Sequence, residues 1–314
     1  MKPLTLAGLG ALLTLATSHL ASAYCLTHDC NPTDPTQGCV FDDAGCIVTG
    51  VPISWPSLCV GFSVQQDGST KPRISAQDFA VMVQTALERW TQAPCQGGGA
   101  VSLQVQNLGA VACDRVEINH TGGNANIWMF RDDVWPYIGG EDVLGMTTVH
   151  YDLDKPDIQD VDVELNGSGP DPLSTDDPAT GADLDSILTH EAGHFLGLSH
   201  TKVAGATMAP GYTKGDTSVR SLEQDDIDAI CAAYPTSRPV TAVDCTPLHG
   251  FSGVCGGALP EPPRPLPEPS CEFATAPAQH GASLALTLVA VFFGLRERRR
   301  RRANAGLASE QASL

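Results

Sequence analysis

After Ser75, a good N-cap, apolar side chains recur at Phe79, Met82, Val83, Ala86, Leu87 and Trp90 in steps of three and four, which predicts an amphipathic helix over 76–92. Leu184, Ile187, Leu188, Phe195 and Leu196 mark a second helix at about 183–196, and Ile227, Ile230, Cys231 and Tyr234 a third. Ser221 with Gln224 three residues on has the form of a capping box for the third. Strand patterns fill the stretch before the second helix. Val101, Leu103 and Val105 alternate with polar residues, Ile127 to Phe130 is continuously apolar, and Val161, Val163 and Leu165 alternate with Asp162 and Glu164. Gly139-Gly140, Gly167 to Pro170 and Asp176 to Pro178 punctuate these as loops. The order predicts an α+β domain, a twisted sheet with three main helices packed on it.

The ends read differently. Residues 1–23 carry Lys2, an apolar run from Leu4 to Leu15 and the small-x-small triplet Ala21-Ser22-Ala23, the pattern of a signal peptide cut before Tyr24. Residues 24–50 form a head rich in Cys, Pro and Asp, 51–236 the patterned body and 237–275 a Pro- and Gly-rich linker. Residues 276–295 hold an apolar anchor or sorting segment from Ala282 to Leu295, and 296–314 a basic tail opening with Arg296 and Arg298 to Arg302. The expectation is a secreted or cell-surface protein whose membrane contact runs through the C-terminal segment before any processing.

Charge sharpens this. Between residues 24 and 295 stand 11 basic and 34 acidic residues, which argues against nucleic-acid binding and for solubility outside the cell. All 11 cysteines follow the cleavage site, so disulfides are their default fate in an oxidising compartment. Setting Cys271 aside leaves ten; their connectivity stays open.

The candidate chemistry lies in His190-Glu191-Ala192-Gly193-His194-Phe195-Leu196-Gly197-Leu198-Ser199-His200. Histidines four apart share one helical face, so both imidazoles can reach a single zinc at about 2.0–2.1 Å. Gly197 lets the chain leave the helix and bring His200 round as third ligand. Three neutral imidazoles with an open fourth position suit a catalytic zinc, and Glu191 is placed to take a proton from water as general base. Leu184, Leu188 and Phe195 are expected to hold the helix in the core with the histidines outward.

This run resembles the long zinc signature of metzincins, and Ala206-Thr207-Met208-Ala209-Pro210-Gly211-Tyr212 resembles their Met-turn. Leu222 to Ile227 with Tyr234-Pro235 is similar to the last helix of matrixins. The resemblance covers roughly 51–236 and implies a metzincin-type fold with zinc in the cleft, Met208 beneath the ligands, and Pro210, Gly211 and Tyr212 lining the pocket for a substrate side chain. It implies a zinc metalloendopeptidase acting on protein or peptide substrates, expected to be a monomer. The matrixin pattern has Ser where this chain has Thr201, and the paired histidines of a second, structural zinc are not evident around His150. The Cys271 segment resembles the MYXO-CTERM type of C-terminal sorting sequence. The rival reading, a non-catalytic surface or adhesion module that keeps the fold, has no use for Glu191.

Three weaker patterns remain. Asp152, Asp154, Asp157, Asp160 and Asp162 fall within eleven residues, a candidate calcium site, although an acidic solvated loop accounts for them more simply. A head thiolate can in principle occupy the open zinc position, yet four close cysteines more simply form two disulfides. Asp225 and Asp226 are placed to bind a processed N-terminus or to brace the Met-turn, and carboxylates also favour helix starts through the dipole.

Overall fold

The computed structural model describes residues 24–256 apart from 33, 35, 139, 141, 177–179 and 240–242, together with the backbone of 264–265 and 307–313. The expected signal peptide, the expected anchor or sorting segment at 276–295 and the arginine run lie outside the described residues.

Strands β1 (Cys59–Gln65), β2 (Gln104–Val111), β3 (Ile127–Phe130), β4 (Gly145–Asp152), β5 (Ile158–Leu165) and β6 (Leu307–Ser313) form one sheet in the order β6-β4-β5-β3-β1-β2. The β1–β2, β1–β3 and β3–β5 pairs are parallel, and β4 runs antiparallel to β5 and β6. The last residues of the expected basic tail thus pair with the outer edge of β4, whose N–H and C=O groups that edge would otherwise leave open. Three helices accompany the sheet: α1 (Ala76–Thr91), α2 (Leu184–Phe195) and α3 (Gln224–Ala233).

Helix α1 begins where its pattern predicts, because Ser75 accepts from the Asp78 N–H. Its apolar stripe, Phe79, Val83, Ala86, Leu87 and Trp90, meets α2 and the inner face of the sheet. Helix α3 starts two residues later than Ser221 and Gln224 suggest. Its capping box is Glu223 with Asp226, whose carboxylate accepts from the Glu223 N–H and also from the neighbouring turn. Residues Val101 and Leu103 are core positions in an irregular approach, and the strand begins only at Gln104.

Strands β1 and β4 carry no clear alternation. Every residue of β1 is buried, so both its faces are covered, and β4 mixes Gly, Met, Thr and Val. On β5 the alternation is real but both faces are buried: Val161, Val163 and Leu165 join the helix-side core, whereas Asp160, Asp162 and Glu164 are each 1% exposed. The outer face is roofed by two smaller apolar clusters, one around Val111, Ile127 and Met129 and one around Tyr137, Val143 and Met146. Asp162 accepts from the N–H groups of Glu117 and Ile127, and Glu164 from Arg131 and Tyr137. Neither oxygen of Asp160 has a partner among the described residues.

Five disulfides fix the periphery: Cys25–Cys46, Cys30–Cys39, Cys59–Cys245, Cys95–Cys231 and Cys113–Cys255. All four head cysteines are paired with one another, which removes a head thiolate as a zinc ligand. The stretch around 243–256, expected as linker, is instead strapped to β1 and to the residue 113 loop by two of these bonds. The head is also part of the body, as Cys25–Leu26 pair antiparallel with Leu198–Ser199 and the Thr27 N–H donates to Gly197 O.

Candidate metal centre

Helix α2 is held on every side. Asp183 caps it through the Ser186 N–H, and Arg220 pairs with the same carboxylate; burial alone would raise the Asp183 pKa, but these donors hold it below the usual range. Arg89 forks onto Asp185 from α1. Burying Leu184, Ile187, Leu188 and Phe195 stabilises its seat by about 1.5–3 kcal/mol each relative to exposure. At the far end Trp55 Nε1 donates to Phe195 O at 2.8 Å and the Tyr234 hydroxyl to Leu196 O at 2.9 Å, satisfying carbonyls the helix leaves open. Gly197 then turns the chain with φ = 86°, and its nearest constraint is Ile53 O, 2.8 Å from where a Cβ would lie.

His190, His194 and His200 meet at the end of this scaffold. They do not face outward: the first two are 1% and 2% exposed and His200 7%, enclosed by the turn after the helix and by the segment 206–208. Their Nε2 atoms are 3.1 Å (190–194), 3.0 Å (190–200) and 3.1 Å (194–200) apart. Tetrahedral ligands about 2.0–2.1 Å from one zinc would stand roughly 3.3 Å from each other, so three acceptors at this spacing fit a single ion. Two of the other ring nitrogens are assigned by carbonyls. His190 Nδ1 lies 2.6 Å from Thr207 O and His194 Nδ1 2.8 Å from Leu198 O, so each Nδ1–H donates there and leaves Nε2 unprotonated. Burial holds His190 and His200 well below the usual imidazole pKa and His194 down at about 4, the neutral state a metal requires.

Glu191 is fully buried beside them. Its Oε2 accepts from the Thr147 hydroxyl of β4, and its Oε1 has no partner among the described residues. Burial pushes the carboxyl up to about 8, with the Thr147 hydrogen bond pulling the other way. Gly145, also on β4, approaches so closely that a Cβ there would lie 2.5 Å from Oε1. Neither β4 residue carries a pattern that singles it out in the sequence.

Met208 packs directly under the helix, its Sδ 2.2 Å from where a Cβ on Gly193 would lie. The turn that carries it is braced by Asp226, which accepts from the N–H groups of Thr207 at 2.7 Å and Met208 at 3.0 Å. Of the two roles considered for this acidic pair, Asp226 thus takes the bracing one. Pro210 and Gly211 are exposed, while Tyr212 is buried with its hydroxyl accepting from the Asp183 N–H at 2.9 Å.

Among the described residues, two groups of three His, Cys, Asp or Glu bring their ligand atoms within 4.8 Å of one another: the three histidines, and Cys113, Glu117 and Cys255. The second contains a disulfide and so has no thiolate to offer. The aspartates Asp152, Asp154, Asp157 and Asp160 are not such a group. The first three sit on the β4–β5 turn, where Asp152 accepts from the Asp154 N–H and from Gln159, and Asp160 is buried within the sheet.

Comparison with known proteins agrees with this geometry. The model of the matrixin peptidase family matches residues 55–235. Neutrophil collagenase of Homo sapiens is 41% identical over 75 residues, 22% of this chain and 16% of that protein. Metalloendoproteinase 1 of Glycine max is 28% identical over 173 residues, 53% of this chain and 48% of that protein. Interstitial collagenase of Sus scrofa is 50% identical over 56 residues, 17% and 11% respectively. The chain therefore spans about half or less of the length of these relatives.

Proposed function

The chain belongs to the matrixin family, and on that premise we propose that it is a zinc-dependent endopeptidase with Glu191 as general base. The observation that carries the proposal is the convergence of three Nε2 atoms at 3.0–3.1 Å beside a buried carboxyl group with one oxygen uncommitted. Zinc, when bound by His190, His194 and His200, supplies a Lewis acid that polarises the scissile carbonyl and acidifies water. Glu191 Oε1 accepts the proton of the attacking water and returns it to the leaving amine. The carbonyls of Thr207 and Leu198 hold two imidazoles in the ligand tautomer, and Met208 supports the helix from below. Pro210, Gly211 and Tyr212 stand next to this turn and are proposed to border the pocket for a substrate side chain.

We place the enzyme outside the cell, exported through residues 1–23 and retained or sorted through 276–295. Five disulfides favour an oxidising compartment. No helix among the described residues is long and apolar enough to cross a membrane.

The test is Glu191→Gln, which keeps the volume and removes the basic oxygen. We expect about one zinc per chain retained and peptide cleavage reduced by about 10²–10⁴-fold. Cleavage at the wild-type rate by folded, zinc-loaded Glu191→Gln protein, or no cleavage of a broad peptide library by the zinc-loaded wild type, would overturn the proposal. The latter result would favour a non-catalytic surface module.

A further inference from the structure

Resting on that reading, we propose that Thr147 is a positioning residue for the general base. A glutamate side chain has three rotatable bonds before its carboxylate, and a base must present one oxygen in one place to within a fraction of an ångström. Helix α2 fixes only the start of that side chain. The carboxylate itself is fixed from β4, the strand that faces it across the core.

On β4 the residues 145, 147, 149 and 151 share one face, and Val149 and Tyr151 bury that face in the helix-side core. The first two positions of the same row meet Glu191. Gly145 contributes the absence of a side chain where Oε1 stands, and Thr147 contributes its hydroxyl to Oε2. The two oxygens of one carboxylate are thereby made unequal: Oε2 is tied, and Oε1 is left as the oxygen able to exchange a proton with water. Thr147 is wholly buried, so solvent has no easy access to replace its hydroxyl, and its β-branched side chain is stiff about χ1. A hydrogen bond buried away from competing water is stronger than the same bond in solvent and well suited to locking a rotor. Val in this place would fill the same space with no donor, and Ser would keep the donor with less bulk.

The experiment compares wild type, Thr147→Val, Thr147→Ser and Thr147→Ala as zinc-loaded full-length protein, with steady-state kinetics on one cleavable peptide. We expect Val and Ala to lower kcat by about 10- to 100-fold with KM within about twofold, and Ser to stay within about threefold of wild type. Zinc retention against a chelator should be unchanged in all four, because no ligand is touched. In a Glu191→Gln background Thr147→Val should cost less than about twofold more, since the group it orients no longer acts. A readout independent of turnover is the visible spectrum of the cobalt-substituted proteins, in which Val and Ala should differ from wild type and Ser should match it.

Equal kcat and an equal spectrum for wild type and Thr147→Val would overturn the inference, as would Ser failing as badly as Val, which would mark a packing role. If Val does not fold, Ala carries the same comparison. Should the wild type cut no peptide, the endopeptidase reading fails while the cobalt spectra still decide whether Thr147 shapes the metal centre. An active wild type with an indifferent Thr147 sinks the positioning role alone.

Discussion

Replacing Gly193 by Ala adds one methyl group to the zinc helix between His190 and His194. The added carbon would stand 2.2 Å from Met208 Sδ, 2.9 Å from Trp90 Cζ2 and 3.1 Å from Met208 Cε. Carbon contacts settle at about 3.5–4.0 Å, so the sulfur must move by more than about 1 Å and the indole by about half that. Neither has room, as Trp90 is wholly buried and Met208 nearly so. Overpacking of this kind costs about 1–3 kcal/mol, against a gain of about 0.5–1 kcal/mol from Ala over Gly inside a helix. The net should be a loss of about 1–2 kcal/mol, which lowers the melting temperature by about 2–8 °C for a domain of this size.

The same displacement lifts the helix from the turn whose Thr207 carbonyl orients His190, so zinc should also be lost to a chelator at lower concentration. Calorimetry with chelator competition reads both effects. A double-mutant cycle isolates the contact: Met208→Ala alone leaves a cavity costing about 2–5 kcal/mol, but in that background the new methyl loses its closest clash and keeps only the one with Trp90, giving a coupling of about 1 kcal/mol or more. The reasoning is refuted if Gly193→Ala melts and holds zinc like the wild type, or if the two substitutions are additive.

Two further predictions concern the rest of the molecule. Peptide mapping without reduction should return Cys25–Cys46, Cys30–Cys39, Cys59–Cys245, Cys95–Cys231 and Cys113–Cys255; any bond joining a head cysteine to the body contradicts the arrangement. Burial, then the neighbouring Asp162, hold the Asp160 carboxyl well above its usual range, opposed by the Asn126 N–H, which lies outside ordinary hydrogen-bond geometry; burial likewise raises Asp162 to about 7. Between about pH 4, where an unfolded Asp ionises, and these raised values, the folded protein keeps protons that the unfolded chain has released, so stability falls as pH rises, by about 1.4 kcal/mol per pH unit per proton. Asp160→Asn removes one such proton, and its stability relative to wild type in urea titrations should therefore climb from pH 4 to 7; parallel curves would contradict it.

Local signals were enough for the three histidines that meet and for the three helices. Four-residue spacing puts His190 and His194 on one helical face whatever surrounds them, Gly197 marks the exit, and long 3.6-residue stripes announce α1 and α2 because a helix is stabilised by contacts close in sequence. Strands were less legible. A strand buried on both faces, as β1 is, loses the alternation that would mark it. The polar row Asp160, Asp162 and Glu164 reads as a solvated face until the loops over it are known. The side chains that tune the site come from far along the chain: the Thr147 hydroxyl donates to Glu191 across 44 residues, and Asp226 accepts from the Thr207 N–H across 19. Disulfide partners up to 186 residues apart have no local signature either, because only the fold brings Cys59 next to Cys245. Sequence determined which side chains are the candidates for metal ligand and base, since that depends on residue type and helical period. Tertiary structure decided which tautomer, which carboxylate oxygen and which neighbour each presents, because those depend on contacts that only packing brings together.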